Sequence, residues 1–180
     1  MSRRILILLF HPDLRASRVN QAMSESVKGL KGISHYDVYA KYPDFDIDVA
    51  SEQSLCQEHD VIVFQHPIQW YSCPALMKEW IDRVLTYGWA HGPGGTALRG
   101  KSWLTATSAG WKKSDYRPDG RNRTFLSEFL LPLTQTANHC GMRWLEPIIL
   151  YGSRHADAAQ LEAHANSYRE QLLALRDGTE

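Results

Sequence analysis

A chain of 180 residues is long enough for one domain with a sizeable core and too short for two ordinary ones. With 43% hydrophobic and 22% charged residues it has the balance of a globular protein, not of a disordered or fibrous one. Lys+Arg and Asp+Glu both number 20, so no overall field draws the chain onto nucleic acid or an anionic bilayer, and no nucleic-acid partner is expected.

The apolar run Ile5 to Phe10 is too short for a membrane span or the core of a signal peptide, so a cytoplasmic location is expected. Cys56, Cys73 and Cys140 are odd in number, widely spaced and without a CxxC pair, which argues against a disulfide framework. Cys73 lies in a loop of interest and is either a reactive thiol or a small buried filler. Eight histidines are scattered without HExxH or paired-ligand spacing, so no metal site is expected.

In chain order, Arg4 to Phe10 is a continuous β-compatible run, as in a parallel strand buried on both faces. Ser17 can cap a helix over 18–30, with Val19, Met23, Val27 and Leu30 at core-facing spacing. A second strand over 34–39 alternates weakly, which suits a sheet edge; a polar stretch over 42–48 and a short helix through Leu55 follow. The third strand, 60–65, runs into His66-Pro67, where the missing amide proton should end pairing. Pro74 suits the first turn of a helix whose apolar stripe is Leu76, Trp80, Ile81, Val84 and Leu85, with Glu79–Arg83 and Lys78–Asp82 on its outer face. A glycine-rich loop over 88–100 leads to a fourth strand at 102–107 and a long loop over 108–123. A helix over 124–139 contains Pro132 and should kink or begin late; Gly141 ends it. A fifth strand over 144–151 and an amphipathic helix over 157–176 close the chain. This alternation predicts an α/β fold, a doubly wound parallel sheet of five strands with helices on both faces.

In such sheets ligands bind beyond the carboxyl ends of the strands. Three loops converge there. The loop 11–20 leads into a helix N-terminus that favours an anion, with Ser17 and Asn20 as side-chain donors; Ser17 taken alone reads first as a plain helix cap. No GxGxxG and no Walker A sequence is present, which argues against an ordinary dinucleotide fold or a P-loop NTPase. The loop 66–73 puts Trp70 and Tyr71 in a proline-bracketed turn that cannot easily bury both, as a flat ligand would require; Trp70 as a core plug is the alternative. A phosphoacceptor receiver domain shares the sheet plan but needs clustered acidic residues after the first strand, and Asp13 stands alone.

The run from His66 to Gly92, HPIQWYSCPALMKEWIDRVLTYGWAHG, resembles the signature stretch of the NAD(P)H:quinone reductase family, most of all the ancillary subunits of glutathione-gated potassium-efflux systems. Gly94 to Lys101, Tyr42 to Asp48, and His11-Pro12 with Ser17 and Asn20 extend the resemblance over almost the whole chain. It implies a flavodoxin-like fold and a homodimer with active sites at the subunit interface. It also implies a flavin, FMN at this chain length with FAD the alternative. The matching positions are His11, Ser17, Arg18, Val19 and Asn20 for the phosphate; Pro67, Ile68, Gln69, Trp70 and Tyr71 for the ring; and Ser108, Ala109, Gly110 and Trp111 to complete the ring site. The implied reaction is ping-pong hydride transfer from NADH or NADPH to a quinone, with Tyr116 matching a tyrosine that polarises substrate or steadies charge on the reduced ring. The third loop departs from the family's threonine and glycines: Ser108-Ala-Gly-Trp111 puts an indole where it crowds or covers the nicotinamide site, and the histidine that often follows the tyrosine is not evident over 117–123.

The resemblance allows a second role, a regulatory subunit docked on a potassium-efflux antiporter at the cytoplasmic face of the inner membrane. Lys112, Lys113, Arg117, Arg121 and Arg123 stand against only Asp115 and Asp119, a basic patch for the 2′-phosphate of NADPH, an acidic transporter surface or solvent.

Overall fold

The computed structural model describes residues 2–179. Strands β1 (Ile5–Leu9), β2 (Ile33–Asp37), β3 (Val61–Pro67) and β4 (Ser102–Ala109) are parallel and lie in the order β2-β1-β3-β4. Two short segments, β5 (Arg143–Trp144) and β6 (Ile148–Tyr151), both pair with the free edge of β4. The single fifth strand expected from sequence is thus interrupted at 145–147, where Pro147 has no amide proton to give the ladder. As its weak alternation suggested, β2 is an edge strand.

Every side chain from Ile5 to Phe10 is fully buried, and the pleat sends them alternately to two cores. Ile5 and Ile7 pack with Val19, Met23 and Val27 of α1 (Arg18–Val27) and with Tyr168, Leu172 and Leu175 of α6 (Ala158–Asp177). Leu6, Leu8 and Phe10 face the other side, with Cys56 of α3 (Val49–Glu58), Trp80 of α4 (Ala75–Val84) and Leu130 of α5 (Leu126–His139). Strands covered on both faces cannot alternate apolar with polar, which is why β1 reads as an unbroken hydrophobic run.

Several boundaries differ from expectation, among them the end of α1 at Val27 where helix was expected through Leu30 and the end of β4 at Ala109 where strand was expected through Thr107. The chain leaves β2 at Asp37, whose carboxylate accepts from the Ala40 amide and starts a single turn of helix, α2 (Val38–Lys41), where strand was expected through Tyr39. Pro132 neither delays nor ends α5, which runs from Leu126 to His139; Pro132 is exposed, so the carbonyl its ring frees can face water. Pairing also continues past His66, through Pro67 opposite Ser108. Phe10 N–H donates to the Gln65 carbonyl at 2.8 Å and Ile68 N–H to the Ser108 carbonyl at 2.8 Å, so Gln65 and Pro67 face β1 while His66 and Ile68 face β4. The missing proline N–H therefore ends only the β1 ladder, and β4 carries the strand two residues further.

A buried carboxylate joins the elements on the α4 face. Glu52 is fully enclosed and accepts from Lys41 Nζ at 2.7 Å, Tyr42 Oη at 2.7 Å, Trp80 Nε1 at 2.8 Å and the Tyr36 hydroxyl. Burial next to this carboxylate holds Tyr36 far above the ordinary phenol range, so it stays protonated and donating. Four donors, one of them cationic, offset the desolvation of a single anion.

Candidate functional site

The turns after β1, β3 and β4 meet at one rim, as the sheet topology requires. Phe10 leads into the first turn already bonded to Gln65; Ile68 in the second is bonded to Ser108 in the third. Asn20 Nδ2 is 3.1 Å from Ser17 Oγ and 3.5 Å from Ser108 Oγ, tying the start of α1 to the end of β4. A cleft of about 560 Å3 opens between them, walled by His11, Pro67, Ile68, Gln69, Trp70, Tyr71, Ser108, Gly110, Trp111, Ser153 and Arg154.

The second turn is strained and open. Gln69 and Ser72 exchange backbone hydrogen bonds at 3.0 and 2.9 Å, and between them Trp70 (φ 48°) and Tyr71 (φ 64°) both adopt the left-handed region. That hairpin turn is ordinarily made by Asn-Gly, because an L side chain costs about 1–2 kcal/mol per left-handed residue. Trp70 is nevertheless 95% exposed, so it is not a core plug, and Tyr71 is 54% exposed with its ring 5.1 Å from Phe129. Backbone strain carrying unburied aromatics is a mark of a binding surface.

The start of α1 presents backbone donors without side-chain charge. Ser17 Oγ caps the Asn20 amide at 3.2 Å, and the Arg18 and Val19 amides, in the first turn, have no intrahelical acceptor. Val19 is packed in the core, and the Arg18 guanidinium is tied to the Ala156 carbonyl at 2.9 Å. Asn20 is fully buried, yet its Oδ1 has no partner; exchanging the amide's O and N lets both serine hydroxyls donate to it and leaves Nδ2 as a free donor. Thr107 Oγ1, one residue before Ser108, is likewise buried and unpartnered. Gln65 Nε2 braces the helix by donating to the Asn20 carbonyl at 3.0 Å, and Tyr168 in turn donates to Gln65 Oε1 at 3.2 Å.

Of the residues singled out from sequence, those after β3 and β4 line the cleft except Ala109, whose side chain is in the core and whose carbonyl accepts from Ser153. Ser17 to Asn20 stand behind it, and only His11 of the first turn reaches the wall. Trp111 forms part of a wall and leaves the cleft open. Tyr116 is buried beside Phe129 and Tyr151 and lines a separate, wider groove of about 950 Å3 between the loop after β4 and α5. Burial raises its phenol pKa, Tyr71 adds to that, and a backbone hydrogen bond at Trp111 and the Arg154 charge act the other way, so it remains a neutral donor at physiological pH. Ser153 and Arg154 were missed; the rule that sites lie at strand ends applies equally to the loop after the last strand.

His66 sits under the second turn. Its ring is wholly buried, Nδ1 lies 3.0 Å from the Pro67 carbonyl and Nε2 has no partner; burial pushes its pKa down to about 4, with the Pro67 contact opposing. The neutral ring therefore carries its proton on Nδ1 and braces the carbonyl at the start of the turn. Cys73 is a half-buried free thiol whose pKa burial raises, which suits the filler reading. No group of three or more metal-ligating side chains is present among the described residues, and no helix among them is long and apolar enough to cross a membrane.

A family model described as "Flavodoxin-like fold" matches residues 3–172. The chain belongs to this flavodoxin-like family. Over 169 residues, 94% of the chain and 92% of the relative, it is 46% identical to the glutathione-regulated potassium-efflux system ancillary protein KefG of Escherichia coli O1:K1. Among solved structures, general stress protein 14 of Treponema denticola in complex with FMN superposes with a TM-score of 0.90 at 39% identity, covering 96% of this chain and 99% of that one. An NADPH-quinone reductase from P. pentosaceus superposes with a TM-score of 0.85 at 25% identity over 93% of this chain and 96% of that one. The flavodoxin-like assignment accounts for both the strand order and the position of the cleft.

Proposed function

We propose that the chain is an FMN-dependent NAD(P)H:quinone oxidoreductase whose active site is the cleft between the turns after β1, β3 and β4. The observation that carries this reading is the Gln69–Ser72 turn, which spends backbone strain to hold an unburied indole and phenol over an open cleft. The residues present fit the group. The cleft volume falls in the ~300–1,000 Å3 range of small-molecule sites, and the free first-turn amides of α1, with the Asn20 amide flipped so that Nδ2 is free to donate, suit a phosphate and its sugar chain. The FMN-bound relative at TM-score 0.90 supports the choice of cofactor.

FMN supplies the relay of a hydride from NAD(P)H to a quinone. The chain's part would be to hold and orient: the start of α1 would take the phosphate, and Trp70, Tyr71 and the backbone from Pro67 to Gln69 would hold the ring. Tyr116 lines the neighbouring groove and not this cleft, so no direct contact with the reacting groups is assigned to it. A flat acceptor stacked in the same cleft excludes water from the reacting face. We propose a homodimer in which α5 helps form the interface, since Phe125 at its N-cap and Leu131 within it stand half-exposed.

A second reading is favoured by the 46% identity to KefG: a peripheral, ancillary role on a potassium-efflux antiporter, with or without turnover. The deciding experiment is an absorption spectrum of the purified protein before and after NADPH. A yellow protein bleached by NADPH and recoloured by a small benzoquinone supports the enzyme. A protein that holds FMN but turns nothing over leaves the ancillary role, and one that takes up no FMN removes the cofactor.

A further inference from the structure

We infer that Arg121 and Arg154, both stacked on Trp111 at the mouth of the cleft, bind the phosphate groups of the nicotinamide nucleotide that serves as electron donor. The inference rests on the proposed reductase reading and names a binding element it lacks. The Arg121 guanidinium carbon lies 3.9 Å from the centre of the Trp111 ring and that of Arg154 lies 4.8 Å away, each within cation–π range. Gly110 makes room for this arrangement, because a Cβ there would stand 2.9 Å from Arg154 Nε. Stacking on an indole fixes a guanidinium without consuming its N–H donors. Among the described residues neither arginine has a carboxylate partner or donates a hydrogen bond, whereas nearby Arg117 is held by Asp119 at 3.1 Å. Two positioned cations with all their donors free are thus left at the rim, and Arg154 itself lines the cleft.

Of the molecules the proposed reaction brings here, a quinone is uncharged and offers such a clamp only neutral carbonyl oxygens, without the charge-assisted bonds a phosphate accepts. A nicotinamide nucleotide stacked in the cleft trails its diphosphate out through the mouth, where planar guanidinium forks suit phosphate oxygens. The indole in place of the family's glycine is then the post on which the clamp is mounted. The other phosphate source is the flavin itself, and the test separates the two.

The test uses the flavin-loaded protein and its R121M/R154M double variant. Two donors are compared: NADPH or NADH, and N-benzyl-1,4-dihydronicotinamide, which lacks phosphate. The expected result is that kcat/KM for the nucleotides falls roughly tenfold or more relative to the phosphate-free donor, as loss of charge-assisted hydrogen bonds dictates. The dissociation constant of ADP-ribose for the oxidised protein should rise by a similar factor, and R121K/R154K should recover part of both losses. An unchanged donor ratio with unchanged ADP-ribose affinity overturns the inference. So does a variant that loses FMN but keeps riboflavin, because the arginines then hold the flavin phosphate. Wild-type protein that neither takes up FMN nor oxidises either donor overturns the reductase reading as well, and is recognised by the missing flavin spectrum.

Discussion

Replacing Trp70-Tyr71 by Asn-Gly should make the flavin-free protein more stable and the flavin complex weaker. Both residues sit in the left-handed region, at about 1–2 kcal/mol each for an L side chain, and Asn-Gly is the pair this turn prefers. Against a gain of about 2–4 kcal/mol stand two losses: the tilted Tyr71–Phe129 contact, about 0.5–1.5 kcal/mol, and about 0.5–1 kcal/mol for the greater entropy of glycine in the unfolded chain. Trp70, 95% exposed, has little packing to lose. The net is a gain of about 1 kcal/mol, which for a chain of this size raises Tm by about 2–4 °C. Thermal melts of flavin-free wild type and variant read the first quantity. Quenching of FMN fluorescence reads the second, which should show affinity weaker by about tenfold or more, since a single aromatic stack is worth about 0.5–1.5 kcal/mol beyond its buried area. A variant that melts lower, or that melts higher yet binds FMN as tightly as before, would show that the turn is not strained for the ligand's sake.

Three further outcomes are expected. Glu52→Ala should cost about 3–5 kcal/mol, because it strands the Lys41 ammonium and three other donors around a void; urea melts in which it costs less than about 1 kcal/mol would contradict the hub. His66 is held at about 4 against an ordinary 6.5, so the unfolded chain takes up its proton first as pH falls. Stability is thus lost between about pH 6.5 and 4, by at most about 3 kcal/mol for this group. His66→Asn should flatten that limb but not abolish it, since burial also lowers His35, His59 and His164; equal slopes in urea melts across that range would refute it. Asn20→Leu should lower FMN retention on a desalting column, and full retention would mean the phosphate sits elsewhere than at the start of α1.

The strands and the site rim were legible because their causes are local. The unbroken run at β1, the stripe Leu76, Trp80, Ile81, Val84 and Leu85, and the Ser17 cap each arise within a few residues, and all occupy the expected faces. What escaped the sequence depends on partners far apart in it. The Glu52 cluster draws donors from β2, α2, α4 and the chain after α2, and no spacing rule links Tyr36 to Trp80. The effect of Pro67 turned on which neighbour its missing proton would face, a matter of register. Pro132 reads as a kink or a late start on paper, but its exposure lets water satisfy the freed carbonyl. Arg154 lies more than forty residues beyond Trp111, and only the β4–β6 pairing brings them together.

The broken pairing along the outer flank of β4 affects behaviour in concentrated solution. A continuous strand there would offer a full row of amides and carbonyls for another polypeptide to copy. Two stubs of two and four residues, split by a proline, offer no such template. Self-association of this chain is accordingly steered away from sheet extension and onto its helical faces.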